Sequence, residues 1–377
     1  MKIGGEWLSS PATQAVFDAL ARAGIEAFFV GGCVRNAAMG VAVTDLDLTT
    51  AARPDAVMQA AEDAGLKVVP TGIDHGTVTV VADGAPYEIT TFRHDVETDG
   101  RHAKVAFSTS MEEDARRRDF TFNALYADRD GTVFDPLGGL PDLDARRVRF
   151  IGDAASRIAE DYLRILRFFR FHAWYGDVDR GLDQDSLAAC AAGADGLAQL
   201  SGERIGAEMT KLLQARDPAP SVAAMAQAGI LARIMPGADA KGLSVLIHLE
   251  DGLPPHMQRR AAILGGASLK ERWRLSNAVA QEIDALRDAI GSSAGLAEIA
   301  YRHGADFARD TMLLRAATFE QPAVGDAEIA KGAGAQFPIR AQDLMPELQG
   351  AALGAKLKEL EAAWIASGFT ATKGMLL

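Results

Sequence analysis

Over its first 140 or so residues the chain alternates short apolar runs of period two with longer stretches of period near 3.6. Residues 11–23 read as a helix, with Val16, Leu20 and spaced alanines on one face. Residues 27–30 are an apolar strand, and Asp45-Leu46-Asp47 with its Leu, Thr and Val neighbours reads as a second, extended segment. Residues 54–64 predict a helix, with Pro54 in its first turn and Gly65 just past its end. Residues 77–81 and 87–92 flank Asp83-Gly84, a hairpin signal. Residues 93–102 turn polar and loop-like, so His94 and His102 read as solvated loop side chains rather than metal ligands. Residues 120–127 and 156–174 each read as one helix, and from Asp142 onward no clear strand run remains. Pro218-Ala219-Pro220 and Gly252-Leu253-Pro254-Pro255 are plausible boundaries, and Gly332-Ala333-Gly334-Ala335 reads as a short flexible break. The 353–357 stretch reads as a helix-turn or as ordinary packing, and no repeat of fixed period is visible. The pattern predicts an α+β chain: a head with a mixed sheet and flanking helices at 1–141, then an all-helical remainder.

Chemistry concentrates in one stretch. Gly31-Gly32 follows the apolar strand, where a backbone turn can approach a phosphate, and Arg35 comes one turn later, suited to a triphosphate oxygen. On an extended segment Asp45 and Asp47 project from one side about 7 Å apart. Two such carboxylates repel unless a cation lies between them, and a hard divalent ion takes one or two carboxylates and leaves room for water and phosphates. Glu88, on the second hairpin strand, fits a third carboxylate for metal or proton handling as well as it fits a solvent-facing residue. No Gly-Lys-Ser/Thr follows the glycines, so this is not a Walker-type loop, and it does not match the dinucleotide fingerprint.

The ordered set resembles the signature of the polymerase-β-like nucleotidyltransferases, and more narrowly the class II tRNA nucleotidyltransferases (CCA-adding enzymes) with their relatives, the bacterial poly(A) polymerases. Three further segments carry the resemblance in the family's order. Arg117-Arg118-Asp119-Phe120-Thr121-Phe122-Asn123-Ala124 resembles the ribose-recognition motif, and Phe134-Asp135-Pro136-Leu137-Gly138-Gly139 the connector after it. Glu160-Asp161-Tyr162-Leu163-Arg164, continuing through Arg167 and Arg170, resembles the base-reading helix. The likeness thins after Glu203-Arg204-Ile205, and Asn36 stands where the family usually has Asp.

The resemblance implies a neck at 142–217, a body at 218–290 and an RNA-binding tail at 291–377. It also implies a loop within 94–105 that changes nucleotide preference. The expected reaction is template-independent addition of C, C and A to a tRNA 3′ end from CTP and ATP, with two Mg²⁺ ions on Asp45 and Asp47. Arg118, Asp119 and Asn123 would hold ribose and phosphate, while Arg167 and Arg170 would contact the triphosphate. Cytosine and adenine each offer an amino donor beside a ring-nitrogen acceptor. An accepting Asp161 and a donating Arg164, three residues apart on a helix, would fit those bases and mismatch G and U. The same pair could be only a surface ion pair. Rival readings are a poly(A) polymerase, a partial CC- or A-adding enzyme, a non-catalytic RNA binder, and a transferase for a protein or small molecule.

The remaining bulk properties refine this picture. A net charge of −12 is unusual for an RNA enzyme, yet between positions 101 and 170 there are 13 basic side chains, 12 of them Arg, against 12 acidic ones. RNA contact is therefore expected to be local, with one compact substrate rather than a long tract. Cys33 and Cys190 fit a reducing cytoplasm and argue against a disulfide framework or a zinc site, with Cys33 expected to pack as a small apolar side chain. No apolar run is long enough for a membrane span, and the oligomeric state is left open.

Overall fold

The computed structural model describes residues 1–97 and 104–377. Its strands are β1 (Ala27–Val30), β2 (Asp47–Thr50), β3 (Lys67–Gly72), β4 (Thr77–Ala82), β5 (Ala85–Thr91), β6 (Arg93–Glu97), β7 (Lys104–Phe107), β8 (Tyr126–Ala127) and β9 (Val133–Phe134). Seven of them form one mixed sheet in the order β3-β4-β5-β2-β1-β8-β9. β1 is antiparallel to both β2 and β8, and β2 runs parallel to β5. The expected hairpin is β4–β5, and its turn has positive φ at both Asp83 (49°) and Gly84 (77°). That pairing is the one whose twist suits a two-residue hairpin loop. The expected helices form over Pro11–Arg22, capped by Ser10 accepting from Thr13 N at 3.2 Å, and over Pro54–Asp63. Both pack on β4, burying Val16, Leu20, Val57 and Ala61 against the apolar face of the sheet.

The local structure departs from the sequence reading at several places. β2 starts at Asp47, leaving Asp45 and Leu46 ahead of the ladder, because β1 ends at Val30 and offers no partner beyond that point. The polar stretch after Phe92 is not a loop throughout but begins a strand pair, Arg93 opposite Phe107 and His94 opposite Ala106. His94 is half exposed, as expected, 3.6 Å from Glu113. His102 and the centre of the expected loop lie outside the described residues. Residues 120–127 are not a helix but a short 3-10 turn, Thr121–Asn123, leading into β8. Phe120, Phe122, Leu125 and Tyr126 are all buried, so the run has no polar face from which a period could be read.

The 156–174 segment is two helices, Ala154–Glu160 and Leu163–Tyr175, broken where Asp161 turns extended (φ −157°, ψ 105°). Gly332 lies inside the helix Asp326–Ala333, where a Cβ would meet the Ala297 carbonyl oxygen at 1.9 Å, so this glycine serves close helix packing rather than a flexible break. Residues 353–357 sit within one helix, Gly350–Ala366.

Two compact units can be distinguished. The first is residues 1–236 with 272–274, and the second is 237–271 with 275–377. In the first, the sheet is followed by helices, and no named strand follows β9 among the described residues of either unit. The second unit is helical around Leu243, Leu246, Ile283, Leu286 and Leu314. Within it buried Glu250 accepts from Arg259 and Arg260, and Arg259 also reaches Asp310 at 2.5 Å. A buried carboxylate is tolerated only when paired in this way.

Candidate nucleotide site

The phosphate turn forms because β1 stops at Val30 and Gly31 reverses the chain at φ 72°, ψ −116°, a conformation that disfavours a side chain. Gly31 N donates to Leu125 O at 3.0 Å, and the helix Gly32–Ala38 begins at once, placing Arg35 in its second turn.

Arg35 is only 6% exposed. Its guanidinium donates to Asn123 Oδ1 (2.5 Å), Asn36 Oδ1 (2.9 Å) and the Tyr175 hydroxyl (2.8 Å). Every one of those partners is neutral. Among the described residues no carboxylate stands within ion-pair distance of it. Burial pulls its pKa down, partly opposed by Tyr175. Asn36, the departure from the family's usual Asp, thus keeps a hydrogen bond to Arg35 without bringing a carboxylate to it, and Asp119 supports its charge only from beyond ion-pair distance.

The carboxylates lie beside it on neighbouring strands. Asp47 and Glu88 are directly paired across the parallel β2–β5 ladder, so they share a face, and Asp45 is an exposed residue two positions ahead. Surrounding protein, then the charge of Glu88, push the Asp47 carboxyl above its ordinary pKa; Arg118 pulls it down and Asp45 pushes it up. This is crowded negative charge of the kind a cation relieves. Among the described residues no three acidic, His or Cys side chains close on one point, so protein ligands to a metal would be few and open. Asp45 and Asp47 suit a hard cation that keeps substrate oxygens among its ligands.

Arginines line the other wall. Arg118 is held by buried Asp114 at 2.9 Å, which also accepts from Arg117 (2.9 Å) and the Tyr126 hydroxyl (2.8 Å). Burial pushes Asp114 up, but Arg118 and Arg117 outweigh it and hold the carboxyl below its usual range. Asp119 accepts from Phe120 N and Asn123 Nδ2, each at 2.9 Å, and from Arg167 at 2.6 Å, so it too is held low against burial. Arg170 pairs with buried Glu208 at 2.6 Å.

The base-reading residues are placed differently from a shared helix face. Asp161 sits in the break, its Oδ1 accepting from Leu163 N (3.1 Å) and its Oδ2 from Arg204 (2.7 Å). Arg164 points back to Glu160 (2.5 Å) and the carbonyls of Arg157 and Arg117. The two are not paired with each other; each makes its ion pair elsewhere, Arg164 with Glu160 and Asp161 with Arg204. Each is fixed separately by other groups, with one side left towards the cleft.

One cleft of about 480 Å³ is lined by Gly31, Gly32, Arg35, Asp47, Arg118, Asp119, Asn123, Asp161, Arg164, Arg167 and Arg170. Asp45 and Glu88 are not among its walls. Arg204 and Phe171 also line it, and neither was anticipated. Phe171 and Tyr175 follow Arg167 at i+4 and i+8, so helical spacing alone could have found them. Asp114, not anticipated either, precedes Arg117 and Arg118 by three and four residues, the spacing of a local ion pair.

Residues 27–149 match the family described as "Poly A polymerase head domain", and residues 181–241 that described as "Probable RNA and SrmB- binding site of polymerase A". The CCA-adding enzyme of Geobacillus thermodenitrificans is 38% identical over 278 residues, 71% of this chain and 67% of that enzyme. The chain belongs to the CCA-adding enzyme family. It is a family of nucleotidyltransferases and generally metal-dependent. Human CCA tRNA nucleotidyltransferase 1, mitochondrial, is 42% identical over 215 residues, so the chain spans about half (50%) of that relative's length. The family fold extends along the chain: the crystal structure of the Bacillus stearothermophilus CCA-adding enzyme in complex with CTP superposes with a TM-score of 0.72, 28% identity, and coverage of 95% of this chain and 94% of that one. The Thermotoga maritima CCA-adding enzyme complexed with tRNA shares the fold at a TM-score of 0.66 and 17% identity, covering 92% and 88%. No helix among the described residues is long and apolar enough to cross a membrane.

Proposed function

We propose that this protein adds C, C and A to the 3′ end of tRNA from CTP and ATP, in the cytoplasm. The observation that carries the reading is a buried Arg35, with no carboxylate at ion-pair distance, in the same cleft as Asp47, Asp161 and Arg164. Arg35 with Arg118, Arg167 and Arg170 binds the triphosphate, and Asp119 with Asn123 orients the ribose. Asp161 and Arg164, each locked by its own partners, offer an acceptor and a donor to the Watson–Crick edge of C or A. Two Mg²⁺ ions held by Asp45 and Asp47 would supply activation of the RNA 3′-hydroxyl and neutralise charge on the departing pyrophosphate. Glu88 beside Asp47 concentrates negative charge at that point. Support for an RNA grip comes from the RNA-binding family match at 181–241, with the neck at 142–217, the body at 218–290 and the tail at 291–377 taking the tRNA.

The test is extension of a tRNA transcript ending at its discriminator base, with CTP, ATP, both, UTP or GTP supplied in the presence of Mg²⁺. Three added nucleotides requiring CTP and ATP together, then a stop, are expected. The poly(A) polymerase match of the head makes a second outcome specific: a long ladder from ATP alone would replace the present reading with a poly(A) polymerase. Partial products of C and C, or of A alone, would make it a partial adder. No extension would leave an RNA binder or another transferase.

Base choice has its own test. Arg164→Ala is expected to reduce the preference for CTP over UTP by about 10-fold, from the roughly 1–3 kcal/mol that a well-formed edge contact contributes. Unchanged discrimination in single-nucleotide kinetics would remove Arg164 from base reading.

A further inference from the structure

Arg35, Arg167 and Arg170 come from two distant segments, yet all three guanidiniums gather on one aromatic platform. Over the Phe171 ring their central carbons lie at 5.2, 5.2 and 4.3 Å. Arg167 and Arg170 each have a carboxylate to hold them, Asp119 and Glu208. Arg35 has none, and its closest contact with any ring is with Tyr175, 4.0 Å from the centroid. The same Tyr175 accepts a hydrogen bond from Arg35 Nη2 at 2.8 Å. Tyr175 is the last residue of the helix Leu163–Tyr175, 140 positions from Arg35 in sequence. Its ring is braced in turn by Phe171 at 5.8 Å and Phe122 at 6.3 Å.

We infer that Tyr175 is a positioning residue for the triphosphate: it holds the free charge of Arg35 in the cleft by stacking and hydrogen bonding. A carboxylate in its place would hold Arg35 as firmly but cancel the charge that an anion needs. An aromatic hydroxyl fixes a cation without neutralising it. Because Tyr175 ends the helix that carries Arg164, Arg167 and Arg170, it also ties the phosphate turn of the head to the helix proposed to read the base. This inference deepens the proposed function and rests on it for the identity of the bound anion.

The experiment measures inorganic tripolyphosphate binding to the full chain by calorimetry, and KM and kcat for CTP and ATP, in wild type, Tyr175→Phe and Tyr175→Leu. Tyr175→Phe keeps the ring and loses the hydroxyl, and is expected to weaken tripolyphosphate binding about 3-fold; Tyr175→Leu loses both and is expected to weaken it about 10-fold. KM for both nucleotides should rise in step while kcat and the KM for tRNA stay near wild type, a split that a general loss of structure would not produce. Wild-type binding and KM in the Phe variant and in a folded Leu variant would overturn the inference, as would no tripolyphosphate binding by wild type. If the Leu variant does not fold, the Phe variant decides. If wild type binds tripolyphosphate, the variants weaken it, and no tRNA is extended, the transferase reading falls while the role of Tyr175 stands.

Discussion

Asp47→Asn is expected to cut nucleotide incorporation by on the order of 10³-fold or more while tRNA binding stays near wild type. A metal clamp on phosphoryl oxygens supplies several kcal/mol of transition-state stabilisation, and each 1.36 kcal/mol is a factor of ten. Asn is nearly isosteric with Asp but brings no charge to the cation. The same substitution should not destabilise the metal-free protein, because Asp47 is disfavoured there by its surroundings and by Glu88. The sign of the pH effect follows from its raised pKa. Between the ordinary carboxylate pKa and the higher folded one, the folded chain holds more protons than the unfolded chain, so stability falls as pH rises. Asn at position 47 removes that contribution. Single-turnover extension on a gel and melting in EDTA across pH measure the two halves. An active Asp47→Asn protein would take Asp47 out of the metal site, whatever its melting behaviour.

Asp114→Ala has the largest expected effect on stability, a loss of about 3–5 kcal/mol, since it strands two arginines and a tyrosine hydroxyl at a buried point. The lower end applies, because Arg117 and Arg118 keep 18% and 20% of their side-chain surface in solvent. Urea denaturation at neutral pH checks the size. Its pH dependence checks the cause: the carboxyl of Asp114 is depressed in the folded state, so its contribution is present above the ordinary carboxylate pKa and is lost as pH falls through the depressed one. The Ala variant should therefore lose less stability on acidification than wild type. With Arg118 unanchored beside Gly31, KM for both nucleotides should also rise. An Asp114→Ala protein as stable as wild type would mean that the arginines find other partners at no cost.

Much of the head could be read from the chain because its signals are local. Pro54 and Gly65 bracket a helix by their own backbone restrictions, and Asp83-Gly84 supplies the positive φ values that a hairpin turn needs. The cleft was legible as a set of residues, since eleven expected residues line it. Their mutual arrangement was not. The break at Asp161 leaves the apolar period intact on both sides, so nothing in the spacing betrays it, and the shared face drawn for Asp161 and Arg164 does not exist. Arg204 holds Asp161 from 43 positions away, and the Tyr126 hydroxyl reaches Asp114 from 12 positions away through tertiary folding, although Arg117 and Arg118 meet the same carboxylate at local i,i+3 and i,i+4 spacing. Periodicity reports which face of an element is buried; it does not report which charges meet. The interior of 120–127 failed for the opposite reason, because a run buried on every side has no face to distinguish.

Arg35, buried among neutral partners, makes the proposed substrate a folding ligand as well. An anion that relieves that charge binds the folded chain and not the unfolded one, so free nucleotide at about 100 times its Kd would add about 2.7 kcal/mol by mass action. On the proposed function, the nucleotide pool would then set two quantities at once, the rate of CCA addition and the fraction of molecules that proteases can reach. A cell starved of CTP and ATP would lose the second along with the first.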